Sequence, residues 1–175
     1  MSTLEQDLRA AIRDIPDFPK PGIIFKDITP ILSDAALLQG VIDHFAAAFA
    51  DAQIDAVVGM ESRGFIFGAP LALALNAAFV PARKPGKLPY DSIGVEYELE
   101  YGTARLEMHT DAVGAGQRVL VVDDLLATGG TARATHQLIE QLGGTIVAAC
   151  FVIELDFLNG RAVLGEVPVH SIVNY

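Results

Sequence analysis

A chain of 175 residues, 51% hydrophobic and only 19% charged, has the length of one domain and enough apolar content to bury a core, which excludes a disordered polymer. Its formal net charge of −10, from 22 acidic against 12 basic residues, excludes a surface built to neutralise nucleic-acid phosphates. No apolar run reaches the roughly 18–20 residues that span a bilayer, and the polar start Met1-Ser2-Thr3-Leu4-Glu5-Gln6-Asp7 has no signal-peptide character.

Leu4, Leu8, Ala11, Ile12 and Ile15 recur at helical spacing and predict a helix over 4–15, stopped by Pro16, Pro19 and Pro21. Residues 16–30 read as irregular chain. Ser33 is the expected N-cap of a second helix whose apolar stripe is Leu37, Leu38, Val41, Ile42, Phe45 and Phe49. A strand over 54–60 then runs into the polar turn Glu61-Ser62-Arg63-Gly64, followed by a helix over 65–76 that tolerates Pro70, and a strand over 77–81. The few cations gather around Arg63 and in Arg83-Lys84-Pro85-Gly86-Lys87, a distribution suited to a small polyanion.

From 95 to 108 the rhythm changes. Val95, Tyr97, Leu99 and Tyr101 alternate with Glu96, Glu98 and Glu100, and the alternation resumes at Ala104, Leu106 and Met108. Two antiparallel strands joined near Gly102 are predicted. A hairpin inserted there is expected to act as a lid. A strand over 118–123, a helix over 131–142 closed by Gly143-Gly144, and a near-continuous apolar strand over 145–154 follow. Alternation of strand and helix predicts an α/β fold, a central parallel sheet flanked by helices, in a single domain over 1–175. The single cysteine, Cys150, falls in the last of these strands as a packing residue, rules out an internal disulfide and suits a reducing cytoplasm.

The segment Val119-Leu120-Val121-Val122-Asp123-Asp124-Leu125-Leu126-Ala127-Thr128-Gly129-Gly130-Thr131 carries most of the chemistry. An apolar strand ends in two acids, and five residues, 127–131, lead into a helix. Ligands of open parallel sheets bind at this end of the strands. Gly129 and Gly130 allow a tight turn whose amides converge as an anion nest, and the helix N-terminus behind adds partial positive charge. The Thr128 and Thr131 hydroxyls can donate as well. Carboxylates at Asp123 and Asp124 repel phosphate but accept hydrogen bonds from vicinal hydroxyls, so the set suits a ribose 5-phosphate. Either feature alone is also an ordinary turn or a solvated acid pair. No Gly-Lys-Ser/Thr follows, so this is not a Walker loop, and no G-x-G-x-x-G is present.

This segment resembles the phosphoribosyl pyrophosphate (PRPP) motif of the type I phosphoribosyltransferases, the adenine-specific branch in particular. Phe18-Pro19-Lys20-Pro21-Gly22-Ile23-Ile24-Phe25-Lys26-Asp27-Ile28, Glu61-Ser62-Arg63-Gly64-Phe65, Arg83 to Pro89 and Leu99-Glu100-Tyr101-Gly102 are similar to that branch in the same order. The resemblance implies a fold with a small N-terminal hood, mainly 1–30, and a flexible hairpin lid at about 90–110. It implies that Asp123 and Asp124 hold the ribose hydroxyls and that Ala127, Thr128, Gly129, Gly130 and Thr131 hold the 5-phosphate. Glu61, Ser62 and Arg63 would receive pyrophosphate on a loop with a cis peptide between Glu61 and Ser62. Arg83 and Lys87 would reach the same group, partly across a homodimer interface.

For the base, the resemblance implies that the Lys26 backbone reads the Watson–Crick edge of adenine while Ile24 and Leu125 sandwich the ring. A 6-oxopurine would set carbonyl against carbonyl. Phe25 belongs either to this set or to the core. Glu100, with Tyr101 on the lid, is implied as the catalytic carboxylate that takes the proton from the base, although the alternating pattern does not separate it from Glu96 and Glu98. Mg²⁺ is expected to arrive with PRPP, since His44, His109, His136 and His170 show no ligand spacing. The expected partners are PRPP, adenine and a second copy of the chain, with no nucleic acid and no membrane. Transfer to another base, a PRPP-sensing regulator and a pure interaction protein are the alternatives.

Overall fold

The computed structural model describes residues 3–99 and 102–175. The chain opens with helix α1 (Thr3–Ala11), which buries Leu8. The helical spacing of apolar residues runs on to Ile15, but the backbone leaves the helix after Ala11. Arg13–Pro16 is instead strand β1, paired antiparallel with β2 (Ile24–Asp27). Two causes correct the expected helix over 4–15 and the irregular chain over 16–30. Pro16 disfavours α backbone at Ile15. Opposed charges then fix the pairing, with Arg13 3.0 Å from Asp27 and Lys26 2.7 Å from Asp14. This two-stranded sheet falls within residues 1–30, the segment expected to form the hood.

A short helix α2 (Thr29–Leu32) carries Pro30 in its first turn and has Ser33 as its C-cap, so Ser33 is not the cap expected for the next helix. That role falls to Asp34, whose carboxylate accepts from the Ala36 and Leu37 amides at 2.9 and 3.1 Å. Helix α3 (Ala35–Ala48) turns Val41, Ile42 and Phe45 inward, within the expected stripe.

The core of the fold is β3 (Ala56–Met60), α4 (Gly64–Ala74), β4 (Ala78–Ala82), β5 (Ser92–Leu99), β6 (Gly102–His109), β7 (Arg118–Leu126), α5 (Gly130–Gln141) and β8 (Thr145–Glu154). A 3₁₀ turn (Asp156–Leu158), α6 (Gly160–Leu164) and β9 (Val169–Asn174) complete the chain. Five strands form one parallel sheet in the order β4-β3-β7-β8-β9. Alternate residues of the central strands face opposite layers. Val57, Leu120, Val122, Cys150 and Val152 pack with Leu8, Val41, Phe45, Phe67 and Leu71 from α1, α3 and α4. Val58, Met60, Val119, Val121 and Phe151 pack on the other side with Ala134, Leu138 and Ile139 of α5.

The hairpin β5–β6 is antiparallel in a register that sets Leu99 opposite Gly102. It joins the second layer through Val95, Leu106 and Met108, as its alternation predicts. Reciprocal backbone bonds of 2.9 and 2.7 Å between Arg83 and Glu107 tie it to the segment after β4.

Candidate active site

Parallel strands present their C-terminal ends along one edge, and β3 and β7 are neighbours there. The chain leaves β3 through Glu61, whose peptide bond to Ser62 is cis, as the family resemblance implies. Arg83 brings its Nε and a terminal nitrogen to 3.2 and 3.3 Å from the Glu61 carboxylate, and the Lys84 amide donates to it at 3.0 Å. Burial works against this charge, yet those hydrogen bonds, with the attraction of Arg83 and Lys87, hold the Glu61 carboxyl below the usual range. Ser62 is exposed beside it. Lys87 is exposed too, and its carbonyl accepts from Arg83 at 3.2 Å.

Arg63 turns toward the end of β7. Its Nε lies 3.0 Å from Asp124 Oδ2, and its guanidinium stands 5.2 Å from the centre of the Phe25 ring. Asp124 is 2% exposed. Its Oδ2 is buried and accepts no hydrogen bond among the described residues, because Arg63 approaches off the bonding line. The Asp124 amide donates to Asp123 Oδ1 at 2.9 Å. Burial, with the neighbouring charge of Asp124, pushes the Asp123 carboxyl well above the usual range. Burial also raises Asp124, against the pull of Arg63. A buried and a half-buried carboxylate stand side by side at the cavity, and Asp124 Oδ2 has an acceptor unused among the described residues.

Immediately after β7, residues 127–131 bend into α5. Gly129 is the N-cap residue, with φ +84°. A β-carbon at Gly129 would stand 2.6 Å from the Gly160 carbonyl oxygen, so both the backbone angle and the space demand glycine. The first amides of α5 have no partner inside the helix and face the bend. All five of these residues, with Asp123 and Leu125, line a cavity of about 90 Å³. An adjoining cavity of about 370 Å³ shares Asp123, Leu125 and Thr131 and adds Glu61, Arg63 and Asp124. The fold thus brings the predicted phosphate, ribose and Glu61–Arg63 residues to one place.

The residues expected around the base are more dispersed. Ile24 and Lys26 line a third cavity of about 420 Å³ with Leu155, Phe157, Leu158 and Tyr175, while Leu125 belongs to the other two. Lys26 Nζ sits 3.7 Å from the Tyr175 ring centre. Phe25, on the opposite face of β2, meets Phe18 edge-on at 5.2 Å, so it packs within the hood as well as under Arg63. Glu100 and Tyr101 lie outside the described residues.

Two contacts were not foreseen. Lys84 and Tyr97 line the second cavity, and the Thr131 hydroxyl donates to the Tyr97 phenol oxygen at 3.3 Å. Tyr97 shares the inward parity of Val95, a signal present in the sequence. Phe157, Leu158 and Tyr175 join the hood side through a turn that no periodicity announces.

The phosphoribosyl transferase domain family matches residues 28–162. The adenine phosphoribosyltransferase of Myxococcus xanthus is 57% identical over 174 residues, covering 99% of this chain and 95% of its own length. That of Methylococcus capsulatus is 60% identical over 168 residues, covering 96% of this chain and 98% of its own. Among solved structures, the adenine phosphoribosyltransferase of Thermoanaerobacter pseudethanolicus superposes with a TM-score of 0.95 at 51% identity, covering 98% of this chain and 99% of that one. The Saccharomyces cerevisiae enzyme, complexed with adenine and an imino-altritol bisphosphate, gives a TM-score of 0.93 at 45% identity, covering 98% and 99%.

Proposed function

Since the chain belongs to the phosphoribosyl transferase family and, within it, to the adenine phosphoribosyltransferases, we propose how its residues divide the work of that reaction. The enzyme transfers the 5-phosphoribosyl group of PRPP to N9 of adenine, giving AMP and pyrophosphate. The observation that carries the assignment is Asp124 Oδ2, a buried carboxylate oxygen that accepts no hydrogen bond among the described residues, next to a glycine bend at Gly129. A sugar phosphate satisfies both ends of that arrangement at once.

On this reading the amides of 127–131 and the Thr128 and Thr131 hydroxyls hold the 5-phosphate. Asp123 and Asp124, whose carboxyls burial holds above the usual range, accept the ribose hydroxyls as donors. Ser62 and Arg63 receive pyrophosphate, with Glu61, Arg83 and Lys87 behind them. Mg²⁺ would arrive with PRPP as part of the substrate and would supply charge neutralisation for the pyrophosphate group. Glu61 is tied to Arg83 and Asp124 to Arg63, so these residues fit an ion that brings pyrophosphate and water as its own ligands.

Adenine lies between Ile24 and Leu125, with its Watson–Crick edge on the Lys26 backbone. Ile24 is 57% exposed, in place to cover a ring. Glu100 takes the proton released from the base as N9 bonds to the anomeric carbon, and the β5–β6 lid, with Tyr101, shuts out water that would otherwise capture the sugar cation. Leu73, 83% exposed, and exposed Ile66 on α4 offer an apolar face to a second copy in a cytoplasmic homodimer.

The test is pyrophosphate release from PRPP and Mg²⁺ with a panel of bases. Adenine is expected to be preferred over hypoxanthine, guanine, xanthine and uracil. Preference for a 6-oxopurine would overturn the base assignment.

A further inference from the structure

We propose that Glu154 and Arg161 are positioning residues for the phosphate bend, acting on it through Gly160; this rests on the assignment of 127–131 to the 5-phosphate. Glu154 ends β8 opposite Leu126, the residue that precedes the bend. Its side chain is 4% exposed and binds the Arg161 guanidinium through both oxygens, at 2.6 and 2.7 Å. The Ser171 hydroxyl donates to the same carboxylate at 2.6 Å. Arg161 also donates to the Val169 carbonyl and to Ser171 Oγ, each at 3.0 Å. All three guanidinium nitrogens are therefore engaged, and β8, α6 and β9 are tied together at the edge of the sheet that carries the site.

The residue before Arg161 faces the bend. A β-carbon on Gly160 would collide with the Ala127 carbonyl oxygen and stand 3.1 Å from the Leu126 side chain. A β-carbon on Gly129 would stand 2.6 Å from the Gly160 carbonyl oxygen. The two backbones meet at a distance only paired glycines allow, so the place of Gly160 sets the place of Gly129. Helix α6 has five residues, too few to hold itself in position. The bidentate pair supplies that hold, and its bonds also keep the Glu154 carboxyl below the usual range despite burial. A phosphate cradle depends on where its amides point, and a displacement near 1 Å can cost about 10²-fold.

The test is steady-state kinetics with both substrates on Arg161→Met, Arg161→Lys and Gly160→Ala, with Thr128→Ala as the control for the cradle. Arg161→Met is expected to raise KM for PRPP about tenfold while KM for adenine stays within about twofold. Arg161→Lys, which keeps the charge, should recover part of that loss. Gly160→Ala should raise KM for PRPP at least as much, and it leaves the ion pair intact should Arg161→Met fail to fold. An unchanged KM for PRPP in Arg161→Met and Gly160→Ala, with Thr128→Ala impaired, would overturn the positioning role alone. An equal rise in both KM values for Arg161→Met would do the same. No effect of Thr128→Ala would instead overturn the cradle on which the proposal rests.

Discussion

Strand β7 runs between two sheet neighbours and hands its end to a 12-residue helix, whereas the β1–β2 hood pairs only with itself and β1 is exposed throughout. At the β7 end, position is imposed by backbone: a left-handed glycine, a second glycine pressed against it, and buried strands on both sides. In the hood it is imposed by side chains near water: Arg13 with Asp27, Lys26 with Asp14, and the rings of Phe18, Phe25 and Tyr175. Exposed ion pairs of this kind contribute about 0–1 kcal/mol each. The contrast suits a site that holds the charged sugar in a fixed cradle and lets a flat base be covered afterwards.

The sharpest way to break the contrast is to fill the bend. Gly129→Val places a branched side chain at φ +84° against the Gly160 carbonyl, and PRPP binding measured by calorimetry is expected to vanish. Near-normal affinity would contradict a cradle made of backbone. On the lid, Glu100→Gln is expected to lower kcat by about 10²–10⁴ with little change in PRPP affinity, as loss of a general base does. An unchanged kcat would remove Glu100 from the reaction.

Behind the cradle, His136 of α5 is fully buried, and neither ring nitrogen has a hydrogen-bond partner among the described residues. Burial, aided by the charge of Arg133, lowers its pKa from 6.5 to about 4. The unfolded chain therefore takes up a proton below about pH 6.5 that the folded chain refuses until about pH 4. Stability is complete above that window and falls through it, by an expected total of roughly 3 kcal/mol. Denaturant titrations of wild type and His136→Leu at pH 7 and pH 5 should show a larger acid-side loss in the wild type, the variant keeping only what other groups such as His170 contribute. The smallest effect is expected in the hood, where Asp14→Ala should cost no more than about 1 kcal/mol of stability. A larger loss would show that the hood is as firmly fixed as the strand ends.

The same contrast explains what could be read from the sequence. Strands β3, β7 and β8 are apolar runs bounded by acids or glycines, and the residues 123–131 are contiguous, so fold class and cradle are both visible in one segment. The β5–β6 hairpin was legible from strict alternation. The hood was not, because Leu4 to Ile15 keep a helical period that is broken only by Pro16 and by charge pairs with residues 12 and 14 positions away. Ser33 and Asp34 are both capping residues, and which of them caps α3 depends on where α2 ends. The Glu154–Arg161–Ser171 cluster joins three elements distant in sequence, which no local pattern reports.

On the proposed reading, one bend of main chain holds the phosphate while the adjacent acids hold the sugar. A crystal structure of the enzyme with AMP tests it most directly. The phosphate oxygens are expected within hydrogen-bond distance of the amides of 127–131, and the ribose hydroxyls on Asp123 and Asp124, one of them donating to Asp124 Oδ2. A nucleotide bound with its phosphate away from this bend would contradict it.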